Sequence, residues 1–160
     1  MIEKKNLTIN YLKCGIEDLL REDQMLVERA MKACERSYSP YSKFRVGAAL
    51  LLENGAIVEG SNQENVAFPS GTCAERCAIF YANSQYPGEA AKALAIAACN
   101  EDGKFTEEPI TPCGACRQVM VELKKRYGNK MRILLYGSNG TYVLESIDCL
   151  LPFLFDGAEM

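Results

Sequence analysis

The chain contains no histidine, and this absence excludes several kinds of active site. A Ser-His-Asp triad, a Cys-His nucleophilic pair and any zinc site that needs an imidazole ligand are all impossible. Acid–base chemistry near neutral pH must therefore come from a carboxylate, Lys, Cys or Tyr side chain. A basic excess is missing too, because 18 Lys and Arg stand against 21 Asp and Glu for a net charge of −3. This balance disfavours a nucleic-acid partner.

Long hydrophobic runs are also absent. The longest, such as residues 46–52, are far shorter than the roughly 20 residues that span a bilayer, so we expect no membrane partner. Residues 1–22 are mixed and charged instead of resembling a secretory signal, and we expect a cytoplasmic protein. With 160 residues, 48% of them hydrophobic, and no repeat or linker, the chain suits one domain. We predict an N-terminal arm over residues 1–22 that packs on a single domain of residues 23–160.

Hydrophobic periodicity and turn residues predict alternating strands and helices. The predicted helices cover residues 18–36, 73–84 and 111–126, with Thr72 as the N-cap of the second and Pro112 at the first position of the third. The predicted strands cover residues 7–12 (a short strand or extended arm), 46–52, 56–60, 93–98, 131–136 and 142–145. The resulting order, β-α-β-β-α-β-α-β-β, is typical of a layered α/β sandwich.

Eight cysteines are present, and each could form a disulfide, bind a metal or pack as a small apolar residue. A reducing cytoplasm favours metal over disulfides. Cys113 and Cys116 form a CxxC pair at one predicted helix start, and Cys73 lies 40 residues upstream at another. Helix N-termini stabilise thiolates, so two facing starts could place three thiolates around one cation. Three protein ligands leave a fourth position for water, which is typical of catalytic zinc.

Glu75 and Arg76 follow the first of these cysteines directly. Glu75 could exchange protons with a metal-bound water. Three thiolates and one Zn²⁺ sum to a charge of −1, which the Arg76 cation would offset. Two other interpretations stay open: a CxxC redox pair without metal, and a zinc-stabilised binding module without turnover. We expect the remaining cysteines to pack in the core: Cys14, Cys34, Cys77, Cys99 and Cys149.

Several segments together resemble the zinc-dependent cytidine deaminases of the small homotetrameric kind, a family with a known Cys₃ zinc signature. The segments are Cys73-Ala74-Glu75-Arg76, Pro112-Cys113-Gly114-Ala115-Cys116-Arg117-Gln118-Val119, and residues 38–50, 62–65 and 150–153. The likeness covers about residues 25–155. It implies a cytidine deaminase-like three-layer α/β/α sandwich with a mixed, roughly five-stranded sheet. It also implies a homotetramer that acts on a small pyrimidine nucleoside.

The resemblance further implies hydrolytic deamination of cytidine and deoxycytidine to uridine and deoxyuridine plus ammonia, a step of pyrimidine salvage. Cys73, Cys113 and Cys116 would hold one Zn²⁺ per subunit, and zinc-bound hydroxide would attack C4 with Glu75 as proton shuttle. The implied substrate contacts are Asn62 and Glu64 at the ribose, Phe44 beside the nucleoside, the backbone amide of Ala74 at the base carbonyl, and Phe153 reaching into a neighbouring subunit's site. Arg76 would hydrogen-bond the zinc thiolates.

The same chemistry on blasticidin S or on a base in RNA is the remaining alternative. The acidic balance of the chain counts against RNA. A site that hydrogen-bonds a sugar hydroxyl rejects analogues without it, because its own polar groups are then left unpaired. Asn62 and Glu64 therefore favour ordinary nucleosides.

Overall fold

The computed structural model describes residues 1–158 and 160, and its elements follow the predicted order. The strands are β1 (Leu12–Cys14), β2 (Arg45–Leu52), β3 (Ile57–Ser61), β4 (Ala91–Cys99), β5 (Arg132–Gly137) and β6 (Gly140–Leu144). The helices are α1 (Arg21–Ala33), α2 (Ala74–Gln85) and α3 (Gly114–Tyr127). Short 3₁₀ turns at Ile16–Asp18 and Cys34–Arg36 flank α1, so the helix is shorter at both ends than the predicted 18–36. Within the described residues, no helix is long and apolar enough to cross a membrane.

All six strands join one mixed sheet in the order β1-β6-β5-β4-β2-β3. Only β4 and β5 are parallel, and every other neighbouring pair is antiparallel. Within the described residues, the sheet therefore has six strands where about five were expected. The additional strand is β1, which pairs with the outer edge of β6 from Leu12 to Cys14. Of the two predictions for residues 7–12, the strand is wrong for all but the last residue, because backbone pairing with β6 begins only at Leu12; residues 7–11 lie outside the sheet, as the alternative of an extended arm predicts.

The predicted three layers are confirmed by the way β2 alternates its side chains across the sheet. Ala48 and Leu50 face the core that α2 and α3 cover, whereas Ala49 and Leu51 face the core under α1. On its buried side α1 presents a stripe of small and branched residues: Leu26, Val27 and Ala30. This is the helical spacing that one apolar face requires. Two helices on one face and one on the other sandwich the sheet.

Two strand glycines allow the helices to lie very close to the sheet. A Cβ atom at Gly60 of β3 would lie 2.4 Å from the Ala74 carbonyl oxygen in α2. A Cβ atom at Gly47 of β2 would lie 2.1 Å from the Ala30 carbonyl oxygen in α1. Neither distance is compatible with a real side chain. The glycine at position 60 therefore sets the depth at which the first turn of α2 sits.

Candidate active site

Two of the three candidate metal ligands are the N-cap residues of α2 and α3. Cys73 and Cys113 have extended backbones, with ψ angles of 156° and 166°, and neither side chain makes a capping hydrogen bond. Their sulfur atoms are thus left for another partner at the positive end of a helix dipole, which favours thiolates. The prediction of Thr72 as N-cap is wrong, because its backbone pairs with Gln63 through two bonds of 2.9 Å. Pro112 likewise precedes the N-cap of α3 instead of opening the helix.

The predicted thiol cluster exists. The Sγ atoms of Cys73 and Cys113 are 3.8 Å apart, those of Cys113 and Cys116 are 3.5 Å apart, and all three lie within 4.8 Å of one another. Tetrahedral zinc with Zn–S bonds of about 2.3 Å places its sulfur ligands roughly 3.8 Å apart. Sulfur donors also suit zinc better than Mg²⁺ or Ca²⁺. The three thiols therefore fit one zinc ion and leave a fourth coordination position.

Charge around the cluster stabilises one thiolate in particular. The Cys116 thiol and the Arg76 guanidinium, whose Nη2 lies 3.8 Å from the Cys73 sulfur, lower the pKa of Cys73 to about 5. Hydrogen bonding of Cys116 to Cys73, together with burial, raises the pKa of Cys116. The neighbouring thiol and the cation thus both favour a thiolate at Cys73. Metal binding releases protons from such a set.

Glu75 lies in the first turn of α2 and lines the same cavity as Cys73 and Cys113. Its side chain is buried, with the residue 3% exposed, and this burial raises the pKa of its carboxyl group. The cavity has a volume of about 730 Å³. Pockets that bind small molecules commonly have about 300–1,000 Å³. The carboxyl group is therefore placed where a small ligand and the thiol cluster meet.

Three further predicted residues, Phe44, Asn62 and Glu64, line this cavity as well. The Asn62 side chain accepts a hydrogen bond from the Val46 N–H (2.8 Å) and donates one to the Phe44 carbonyl (2.9 Å). Glu64 accepts from the backbone N–H of Tyr41 at 2.9 Å. These bonds hold residues 41–46, at the start of β2 and just before it, against residues 62–64, which follow β3. The two polar side chains therefore also build the cavity wall.

Not every predicted residue lies in the cavity. Cys116 is fully buried next to Cys113, and Ala74 is buried at the start of α2 but does not line the cavity wall. Phe153 is 98% exposed, has a positive φ of 55°, and does not line the cavity of its own chain. Of the other cysteines, Cys34 and Cys99 are buried, whereas Cys14, Cys77 and Cys149 are partly buried.

Sequence reasoning missed two aromatic residues at the cavity. Tyr41 and Phe68 line it and pack edge-to-face, with ring centroids 6.1 Å apart. Tyr41 lies inside one of the segments that carry the resemblance, so its position was a usable signal. Phe68 lies in the loop of residues 61–71, which was predicted to be polar, and no sequence pattern pointed to a role for this residue.

The helix that supplies Cys116 also holds the C-terminal segment. Arg117 donates to the carbonyl groups of Pro112 (2.8 Å) and Leu150 (2.5 Å). Gln118 donates to the Phe155 carbonyl at 2.8 Å. The loop that carries Cys113 and the segment that carries Phe153 are thereby anchored to one helix.

The sequence profile of a family described as the zinc-binding region of cytidine and deoxycytidylate deaminases matches residues 20–128. The chain belongs to this deaminase family. The match contains the whole thiol cluster and Glu75, and it confirms zinc at the level of the family. The individual residue roles stay predictions.

Relatives agree with this membership over most of their length. A protein named cytidine deaminase from Halalkalibacterium halodurans is 46% identical over 137 residues, which are 86% of this chain and 96% of that protein. One of the same name from Sporosarcina psychrophila is 41% identical over 137 residues, covering 86% of this chain and 93% of the relative. The crystal structure of cytidine deaminase from Burkholderia pseudomallei superposes with a TM-score of 0.70 at 40% identity, covering 82% of this chain and 97% of that one. The cytidine deaminase-like fold is confirmed.

Proposed function

We propose that this protein is a zinc-dependent hydrolase that converts cytidine and deoxycytidine to uridine and deoxyuridine, with release of ammonia. The observation that carries the proposal is one cavity that Cys73, Cys113, Glu75, Asn62 and Glu64 all line. The relatives named cytidine deaminase support the choice of substrate.

The metal is assigned to the thiolates of Cys73, Cys113 and Cys116, whose spacing fits zinc. When bound, zinc supplies a Lewis acid that lowers the pKa of a water molecule at the open position. Arg76 offsets the excess negative charge of three thiolates through its contact with the Cys73 sulfur.

The proton transfers are assigned to Glu75, the buried carboxyl group on the cavity wall. Glu75 takes one proton from the attacking water and delivers it to N3 of the pyrimidine while the water oxygen bonds to C4. It then moves the second water proton to the exocyclic nitrogen, the C4–N bond breaks, and ammonia leaves. The balance is cytidine plus water to uridine plus ammonia.

Substrate binding is assigned to the other residues carried over from the resemblance. Asn62 and Glu64 hydrogen-bond the sugar, chiefly its 3′-hydroxyl, and Phe44 packs against the nucleoside. The backbone amide of Ala74, at the first residue of α2, contacts the base carbonyl. A 3′-hydroxyl contact admits both ribose and deoxyribose.

We also infer a homotetramer in which Phe153 completes a neighbouring site. The exposure of this ring outside its own chain's cavity supports that role. Light scattering of the zinc-loaded protein should give four times the chain mass, and Phe153→Ala should lower activity without loss of zinc. A fully active monomer would contradict the assignment.

Residues 1–22 are assigned to an arm that packs on one catalytic domain of residues 23–160. The pairing of β1 with β6 and the stacking of Tyr11 on Tyr142, with centroids 5.0 Å apart, support the packing of this arm. Its last two residues, Arg21 and Glu22, form the start of α1. A cytoplasmic location and a role in pyrimidine salvage fit the eight free thiols and the proposed reaction.

The test is the conversion of cytidine by purified protein, followed by the loss of cytidine absorbance and the release of ammonia. We expect turnover by protein that carries one zinc per chain, and no turnover after chelator treatment. Restoration by added zinc is the control against irreversible unfolding. Zinc-loaded protein that leaves cytidine and deoxycytidine unchanged would overturn the proposal. Blasticidin S would then be the next substrate.

A further inference from the structure

The hydrogen-bonding groups of Asn62 are almost all in use. Its Oδ1 accepts from the Val46 N–H at 2.8 Å and from the Ser37 hydroxyl at 2.5 Å. Its Nδ2 donates to the Phe44 carbonyl at 2.9 Å. A carboxamide oxygen has two lone pairs and the amide nitrogen has two N–H groups. The oxygen is therefore saturated, and one N–H donor is left for a ligand.

Glu64 provides a hydrogen-bond acceptor, whereas Asn62 provides a donor. The hydroxyl of Ser42 and the backbone N–H groups of Tyr41 and Ser42 hold the pKa of Glu64 below its usual range, so the group is an acceptor at neutral pH. Both backbone bonds end on Oε2, at 2.9 and 3.3 Å, and a carboxylate has about four lone-pair sites, so acceptor capacity remains for a ligand. One donor and one acceptor together match a single hydroxyl group, which both accepts and donates.

We propose that Ser37 is a positioning residue that restricts Asn62 to a hydrogen-bond donor and so makes the sugar subsite selective for a hydroxyl group. The inference rests on the proposed function and deepens it. Ser37 does not line the active-site cavity; it lines a separate small cavity. The Ser37 hydroxyl reaches the lining of the active-site cavity through its hydrogen bond to Asn62.

Val46 and Phe44 cannot supply this restriction alone. They orient the carboxamide, because an N–H donor faces its oxygen and a carbonyl faces its nitrogen. They leave the second lone pair of Oδ1 free, and an amide in that state both accepts and donates. Ser37 occupies the lone pair, and its short bond also limits rotation of the Asn62 side chain.

The experiment compares cytidine with 3′-deoxycytidine, which lacks the group that the subsite recognises. For Ser37→Ala, kcat/KM for cytidine should fall about threefold to tenfold, which is the usual effect of one lost hydrogen bond. For 3′-deoxycytidine the same substitution should change kcat/KM by less than about twofold, because the coupled contact is already missing. Most of the loss should appear in KM.

Two variants control this result. Ser37→Thr keeps the hydroxyl group and should restore discrimination between the two nucleosides. Ser39→Ala removes a hydroxyl that lies 3.2 Å from Ser37 and makes no bond to Asn62, so it should leave both substrates within about twofold of wild type. Zinc content and thermal midpoint are measured for each variant.

Equal losses on both substrates in Ser37→Ala, or no loss on cytidine, would overturn the inference while the proposed function stands. Failure of Ser37→Thr to restore discrimination would overturn it as well. Wild-type protein that deaminates neither nucleoside overturns the proposed function and the inference with it. The wild-type measurement thus separates the two failures.

Discussion

Replacement of Gly60 by alanine should displace the metal site through the backbone of α2. The new Cβ would lie 2.4 Å from the Ala74 carbonyl oxygen and 2.6 Å from the Ala78 nitrogen, whereas ordinary contact begins at 3.4 Å. The first turn of α2 must therefore move by about 1 Å relative to β3. That turn carries Glu75 and follows directly from Cys73.

Two effects should follow from this displacement. Overpacking of this kind costs about 1–3 kcal/mol, which lowers the thermal midpoint by roughly 2–4 °C per kcal/mol in a protein of this size. A 1 Å misplacement of catalytic groups can also cost about 10²-fold in rate. We expect Gly60→Ala to lose zinc to a competing chelator more readily than wild type and to lose about 10²-fold in kcat/KM for cytidine.

Two matched glycine variants separate these effects. Gly47→Ala makes an equally severe contact, 2.1 Å from the Ala30 carbonyl oxygen, but against α1, which carries no metal ligand. It should lower the thermal midpoint without weakening zinc retention. Gly88→Ala meets nothing within 4 Å and should change neither property. Wild-type zinc retention and activity in Gly60→Ala would show that the contact between β3 and α2 does not position the metal site.

Three further outcomes are expected from other parts of the molecule. Arg76→Gln should weaken zinc affinity by about 10- to 100-fold in chelator competition, the usual cost of losing a group that supports metal ligands. Gln118→Ala frees the Phe155 carbonyl and should speed limited proteolysis of the C-terminal segment while zinc content stays unchanged. Hydrogen bonding from Lys92 lowers the pKa of Glu22, so this carboxylate stabilises the fold above its unfolded pKa and loses its contribution as the pH falls through the folded pKa. Glu22→Gln should therefore lower the thermal midpoint at pH 7, and the difference from wild type should shrink as the pH falls through the lowered pKa of Glu22; a difference that stays constant as the pH falls would contradict this assignment.

The order of elements was predictable because local signals mark each boundary. The turn at residues 53–55 separates β2 from β3, and Gly128, which follows α3 with a φ of 68°, ends that helix as a left-handed cap. The position of β1 was not predictable in this way. Its register depends on which residues reach the edge of β6, and that is a tertiary contact.

The thiol cluster was predictable because three cysteines and a carboxylate stand at two helix starts. The capping role of Cys73 was not predictable, because threonine has a higher intrinsic preference for the N-cap position than cysteine and Thr72 is the adjacent residue. The structure places Cys73 at the cap and pairs Thr72 with Gln63, which frees the sulfur for metal. Ser37 gave no signal either, because its contact with Asn62 joins residues 25 positions apart.

The role of Glu75 is tested by comparing wild type with Glu75→Gln after both have been loaded with zinc. The substitution keeps the size of the buried side chain and removes its ability to carry protons. We expect both proteins to hold one zinc per chain, and we expect the variant to deaminate cytidine at least about 100-fold more slowly than wild type. Activity of Glu75→Gln within a few-fold of wild type, at equal zinc content, would contradict the assignment of Glu75 as the proton shuttle.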